Sequence, residues 1–185
     1  MRFFDGCFPL VVAMHASHFD EGEMHAMVEG YQAYFRRGER YALLAVAPGE
    51  AVRMGAKERK LVVDWVNDSR VKDNVKRLCV GGTSVLPSAV ARHAMTALLW
   101  FWTPPCPFRA TFNVDQAFDF CTDRIRAAGL QLPGSEDAVR LQVRGHLRAA
   151  GGFDPSLGKE SASKRPPNDP TPTGAAASSR LEGRR

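Results

Sequence analysis

Three histidines and three acids fall in one short stretch, His15, His18 and His25 with Asp20, Glu21 and Glu23. Imidazole and carboxylate together are transition-metal ligands. Their spacing is not that of a zinc finger, and the acids are better used to open a helix, with Asp20 as N-cap and Glu23 three residues on. The histidines are therefore expected to be structural or solvated, and no metal is expected. The four cysteines, Cys7, Cys79, Cys106 and Cys121, include no Cys-x-x-Cys pair. That spacing indicates neither zinc nor a thioredoxin-like dithiol, so buried reduced thiols are expected. Gly81-Gly82-Thr83-Ser84 superficially resembles a phosphate loop but lacks its Lys-Ser/Thr ending, and it reads as strand backbone under close packing. Arg92 and His93 lie in the first turns of a helix capped by Ser88, where backbone amides could meet a phosphate. No Ser-His-Asp order, paired-carboxylate motif or dinucleotide fingerprint is visible. No catalytic residue, cofactor or enzymatic activity is therefore expected.

The elements that position these residues follow from periodicity. A short strand at Phe3-Phe4 turns through Asp5-Gly6 into the apolar run from Phe8 to His15, which reads as a buried strand. Met24, Met27, Val28, Tyr31, Tyr34 and Phe35 then recur at helical spacing, and Arg36-Arg37-Gly38 closes that helix. Tyr41 to Ala47 is a second long strand, stopped by Pro48-Gly49, with a loop to about Met54. A helix follows over residues 56–78, with a kink or break expected at Asn67-Asp68-Ser69 and Trp65 on its apolar face. Residues 79–86 form a third strand, and a helix over 88–102 ends at Thr103-Pro104-Pro105. A fourth strand spans 108–114, and a helix capped by Asp115 ends at Gly129. Strands alternating with helices predict an α/β domain, with a four- to five-stranded, mainly parallel sheet flanked by helices. The organisation expected is an α/β domain over 1–133, a short basic helix over 134–150, and a tail over 151–185. The Pro/Ser/Ala-rich tail cannot bury enough apolar area to offset ordering entropy, so disorder is expected.

The chain has 185 residues, 44% of them hydrophobic, enough for one domain with a core. No apolar run reaches the roughly 18–20 residues that span a bilayer, and none is expected to insert in a membrane. The start, Met1-Arg2-Phe3-Phe4-Asp5, lacks the features of a secretory signal, so a cytoplasmic protein is expected. The net charge of +5, partly carried beyond Gly151, comes with no basic stripe interleaved with aromatics. Nucleic acid is accordingly not the expected partner.

A family resemblance rests on several of these segments: Arg2-Phe3-Phe4-Asp5; Arg37-Gly38-Glu39-Arg40-Tyr41-Ala42-Leu43; Cys79-Val80-Gly81; Pro87-Ser88-Ala89-Val90-Ala91-Arg92; and Ala94 to Trp100 leading to Pro104-Pro105-Cys106-Pro107. Together they resemble the SpoIIAA-like branch of STAS-type domains, small bacterial proteins related in fold to anti-sigma factor antagonists. The resemblance covers residues 1–133. It implies a non-enzymatic protein-interaction module in a bacterial regulatory or structural assembly, docking on another protein or pairing as a homodimer. Signalling STAS domains carry a phosphorylatable Ser or Thr where a central strand runs into a helix. The matching segment here, Pro48-Gly49-Glu50-Ala51-Val52-Arg53-Met54-Gly55, has no hydroxyl residue, so that phospho-switch is not expected. The expected partner surface comprises Pro48, Gly49, Glu50, Arg53, Arg92, His93, Phe101 and Trp102. The alternative is a carrier or sensor for a small apolar ligand, with a pocket beside the sheet supplied by Phe101, Trp102, Phe108 and Phe112.

Overall fold

Alternating inward and outward side chains along each strand split the apolar residues between two faces of one sheet. The computed structural model describes residues 1–16, 18–47, 53–86, 88–89, 92–93, 95–96 and 103–151. Among these, β1 (Arg2–Phe4), β2 (Leu10–Met14), β4 (Tyr41–Val46), β6 (Cys79–Val85) and β7 (Phe108–Thr111) form a five-stranded sheet in the order β1-β2-β4-β6-β7. β1 runs antiparallel to β2 and every other pairing is parallel. The sheet is thus mixed and mostly parallel, as expected.

The helices are α1 (Glu21–Arg37), α2 (Ala56–Asn67), α3 (Ser69–Leu78), α4 (Val114–Ala127) and α5 (Glu136–Ala149), with further helical residues at 89, 92–93 and 95–96. The strand order advances one way from β2 to β4 to β6, and crossovers sharing one hand put their helices on one face. α1, α2 and α3 accordingly pack over Val11, Ala13, Tyr41, Leu43, Ala45 and Cys79. On the opposite face Leu10, Val12, Leu44 and Val46 meet Phe118, Cys121 and Ile125 of α4 with Val139, Val143 and Leu147 of α5. The basic helix expected beside the domain is therefore part of its core.

The ends of the helices are set by local chemistry. Asp20 Oδ1 accepts from the Glu23 amide at 2.9 Å, the expected N-cap. The Glu23 carboxylate does not return to Asp20 as in a full capping box; it pairs with the Met1 ammonium. Gly38 at φ 70 closes α1 in the left-handed conformation that glycine adopts without a Cβ penalty. The break at residue 68 is complete: Asp68 accepts from the Arg70 and Val71 amides at 2.8 and 3.2 Å and starts α3 as a separate helix.

Three local expectations need correction. Asn113, not Asp115, caps α4, accepting from the Gln116 amide at 2.8 Å. Asp115 is taken instead by α5, where Arg144 Nη2 reaches its two oxygens at 2.7 and 2.8 Å. Arg53–Met54, read as loop, forms the short strand β5, parallel to β3 (His18–Phe19). Finally, α2 carries no buried residue, and Trp65 is half-buried rather than enclosed.

A candidate pocket between the helices and the sheet

β6 departs from simple alternation at its start, and this shapes the site. Tyr41 pairs with Cys79, but Ala42 pairs with Gly81, so Val80 is an extra residue in β6. A bulge of this kind re-aims the side chains around it. Val80 joins the cluster under α4. A β-carbon on Gly81 would lie 2.6 Å from Arg124 Cγ, on that same side. Cys79 and the bare Cα of Gly82 thereby face the other way, toward α1–α3. A β-carbon on Gly82 would lie 3.2 Å from the Phe108 ring and 3.9 Å from Cys106 Sγ. Glycine is what lets the Phe108 ring pack so closely on the strand.

The outcome is an apolar cavity of about 120 Å³ between α1, the α2–α3 pair, β4, β6 and the 103–107 segment. Its helical wall is Tyr31, Trp65, Val71 and Val75, with the Tyr31 and Trp65 ring centroids 5.0 Å apart. Tyr41, Leu43, Cys79 and Gly82 form its floor, and Pro104, Pro105, Cys106 and Phe108 its far edge. Two polar features stand out in this apolar lining. The Tyr41 hydroxyl is buried and has no hydrogen-bond partner among the described residues. Burial, reinforced by Cys79, Tyr31, Cys106 and Tyr34 around it, raises its pKa far above the ordinary phenol range. Tyr41 therefore stays protonated, a donor enclosed beneath the cavity that its residue lines.

The second feature is a pair of thiols. Cys79 and Cys106 line the same cavity. The neighbouring Cys106 thiol and burial push Cys79 well above the usual thiol range. The neighbouring Cys79 thiol, aided by the Arg124 charge, outweighs burial at Cys106 and holds its thiol below that range. The remaining cysteines differ. Burial raises Cys7, and it raises Cys121 to about 12 despite the Thr83 hydroxyl beside its sulfur.

Among the described residues of the expected partner surface and ligand pocket, Phe108 alone lines this cavity. Pro48, Gly49, Glu50, Phe101 and Trp102 lie outside the described residues, and of Arg53 only its backbone, in β5, is described. Arg92 donates to the Leu86 carbonyl at 2.9 Å and sits 5.8 Å from the ring centroid of Phe112, which is not among the residues lining the cavity. His93 is exposed. Phe108 is the one described aromatic of the proposed ligand pocket that lines it. Among the described residues no group of three or more His, Cys, Asp or Glu could hold a metal ion. No described helix is long and apolar enough to cross a membrane. Sequence reasoning missed Tyr41 and the Cys79–Cys106 pair; the signals present were the double glycine in β6 and the prolines flanking Cys106.

Comparison of the chain with protein-family models, curated proteins and solved structures finds no match.

Proposed function

We propose that this chain is a non-enzymatic binding module, and that its α1–α3 pocket takes a small apolar molecule bearing one hydrogen-bonding oxygen. The observation that carries this reading is the Tyr41 hydroxyl, buried and unpartnered among the described residues, on a residue that lines an otherwise apolar cavity. A buried donor is nearly always met by an acceptor, and leaving it unmet costs about 1–3 kcal/mol. A cavity of about 120 Å³ admits roughly one aromatic ring or a short chain. Small-molecule sites have this composition, apolar walls with very few placed polar groups.

The test uses p-cresol as a probe, with binding to the full chain followed by NMR of the pocket aromatics. Saturable shifts of Tyr31 and Trp65 are expected. Affinity should fall about tenfold in Tyr41→Phe, the worth of one hydrogen bond. Val75→Phe, which fills the cavity, should abolish binding. No saturable shift, with native mass spectrometry showing no retained small molecule, means that an ordered water alone meets Tyr41 and overturns the proposal.

A protein-docking role of STAS type is the second reading. It is supported by the segments that resemble that family, by the mostly parallel five-stranded sheet, and by a groove of about 500 Å³ between α1 and the α2–α3 junction. Phe35, Trp65, Arg36 and Arg70 line that groove, combining apolar contact with cations. In this reading the module works in a bacterial regulatory or structural assembly in the cytoplasm. It docks constitutively, because residues 48–55 offer no hydroxyl for a phosphate. A stoichiometric complex with a host protein that is lost in Phe35→Asp, while p-cresol binding persists, would favour docking over ligand carriage.

A further inference from the structure

We propose that Cys106 and Cys79 form a hydroperoxide-sensitive dithiol, in which Cys106 is the attacking thiol and Cys79 the resolving one. The two residues are 27 positions apart in sequence, and three features of the fold bring them together. The extra residue at Val80 turns Cys79 to the α1–α3 face. Gly82 faces the same side, and Cys106 Sγ lies 3.9 Å from where its β-carbon would sit, within van der Waals reach of the strand. The parallel pairing of β6 with β7, continued by the Gly82 amide donating to the Pro107 carbonyl at 2.8 Å, holds the 103–107 segment against the strand.

The division of roles follows from surroundings. Cys79 is buried, its thiol donates to the Gly81 carbonyl at 3.4 Å, and it shares the cavity lining with Cys106. Cys106 is half-buried at the edge of the cavity and open to a small solute. The neighbouring Cys79 thiol and the Arg124 charge favour its thiolate, which is the reacting species. In the first step Cys106 thiolate attacks one peroxide oxygen. The S–O bond forms, the O–O bond breaks, and the departing hydroxide takes a proton to leave as water, giving Cys106 sulfenic acid. In the second step the Cys79 sulfur attacks the Cys106 sulfur. The S–S bond forms, the S–O bond breaks, and hydroxide leaves as a second water with the Cys79 proton. Two thiols lose two electrons, and one hydrogen peroxide is reduced to two waters. The reaction does not require the pocket to hold a ligand, so it stands or falls separately from the binding reading.

The test is peroxide titration of the full, reduced chain, with thiol counting and peptide mapping. Two of the four thiols are expected to disappear together, giving a monomer lighter by two hydrogens and a linked peptide joining Cys79 to Cys106. Cys79→Ser should stop at a sulfenic acid on Cys106 that dimedone captures. Cys106→Ser should react about tenfold more slowly, and Cys121→Ser at the wild-type rate. Mapping the wild-type product needs no variant, so it remains decisive if a substitution unfolds the protein. A linkage through Cys7 or Cys121, a product joined between chains, no loss of thiols, or an unslowed Cys106→Ser each overturns the proposal.

Discussion

Burying the Tyr41 hydroxyl without a partner costs about 1–3 kcal/mol, so Tyr41→Phe is expected to leave the ligand-free protein as stable or about 1 kcal/mol more stable. Urea melts of the two proteins measure this, and a clear loss in the variant would show that solvent or a ligand holds the hydroxyl. His15 makes the opposite kind of demand, because the fold prefers it neutral. Burial, with the positive amino terminus nearby, lowers its pKa from 6.5 to about 4. The unfolded chain takes up that proton near pH 6.5 while the folded chain refuses it until about pH 4. Stability should therefore fall as pH drops through this window, by on the order of 2–3 kcal/mol, with no further loss from this group below it. His15→Gln should flatten the slope in denaturant midpoints measured from pH 7 to 4. Neither residue carried this role in the sequence. His15 read as one member of a histidine-acid stretch, and Tyr41 as the first residue of a strand.

At the scale of elements, the α2–α3 break decides where the pocket wall stands. Asp68 meets two amides at the start of α3, the helix that carries Val71 and Val75 to the cavity. Asp68→Ala is expected to cost about 1 kcal/mol in a thermal melt and to weaken p-cresol binding alongside. Asp68→Asn, which keeps the accepting oxygen, should restore most of both. This junction was legible, because Asn-Asp-Ser is poor helix interior and good cap. The cap of α4 was harder to read, since Asn113 and Asp115 both suit an N-cap. The choice was settled by Arg140 and Arg144 on α5, whose approach to Asp115 is a tertiary event. β5 was not legible for a similar reason: two residues have no periodicity, and they become a strand only because β3 lies alongside.

For the molecule as a whole, α5 is the element whose removal matters. Val139, Val143 and Leu147 are each buried against the sheet, and each buried aliphatic side chain is worth about 1.5–3 kcal/mol. Their sum rivals the 5–15 kcal/mol by which a domain is stable. A chain ending at Pro133 is therefore expected to lose cooperative unfolding in circular dichroism melts. A chain ending at Gly151 should melt within a degree or two of the full protein. The composition of residues 152–185 gives them little apolar area with which to stabilise a fold.

The identities of the long strands and of α1 to α5, the caps at Asp20 and Gly38, and the division at Asp68 were written in the sequence. Each depends on periodicity or on side chains within three or four residues of the amides they meet. The meeting of Cys79 with Cys106 and the isolation of the Tyr41 hydroxyl were decided only by the tertiary structure. The first depends on one added residue at Val80, and a bulge is a relation between two strands that neither strand's own pattern contains.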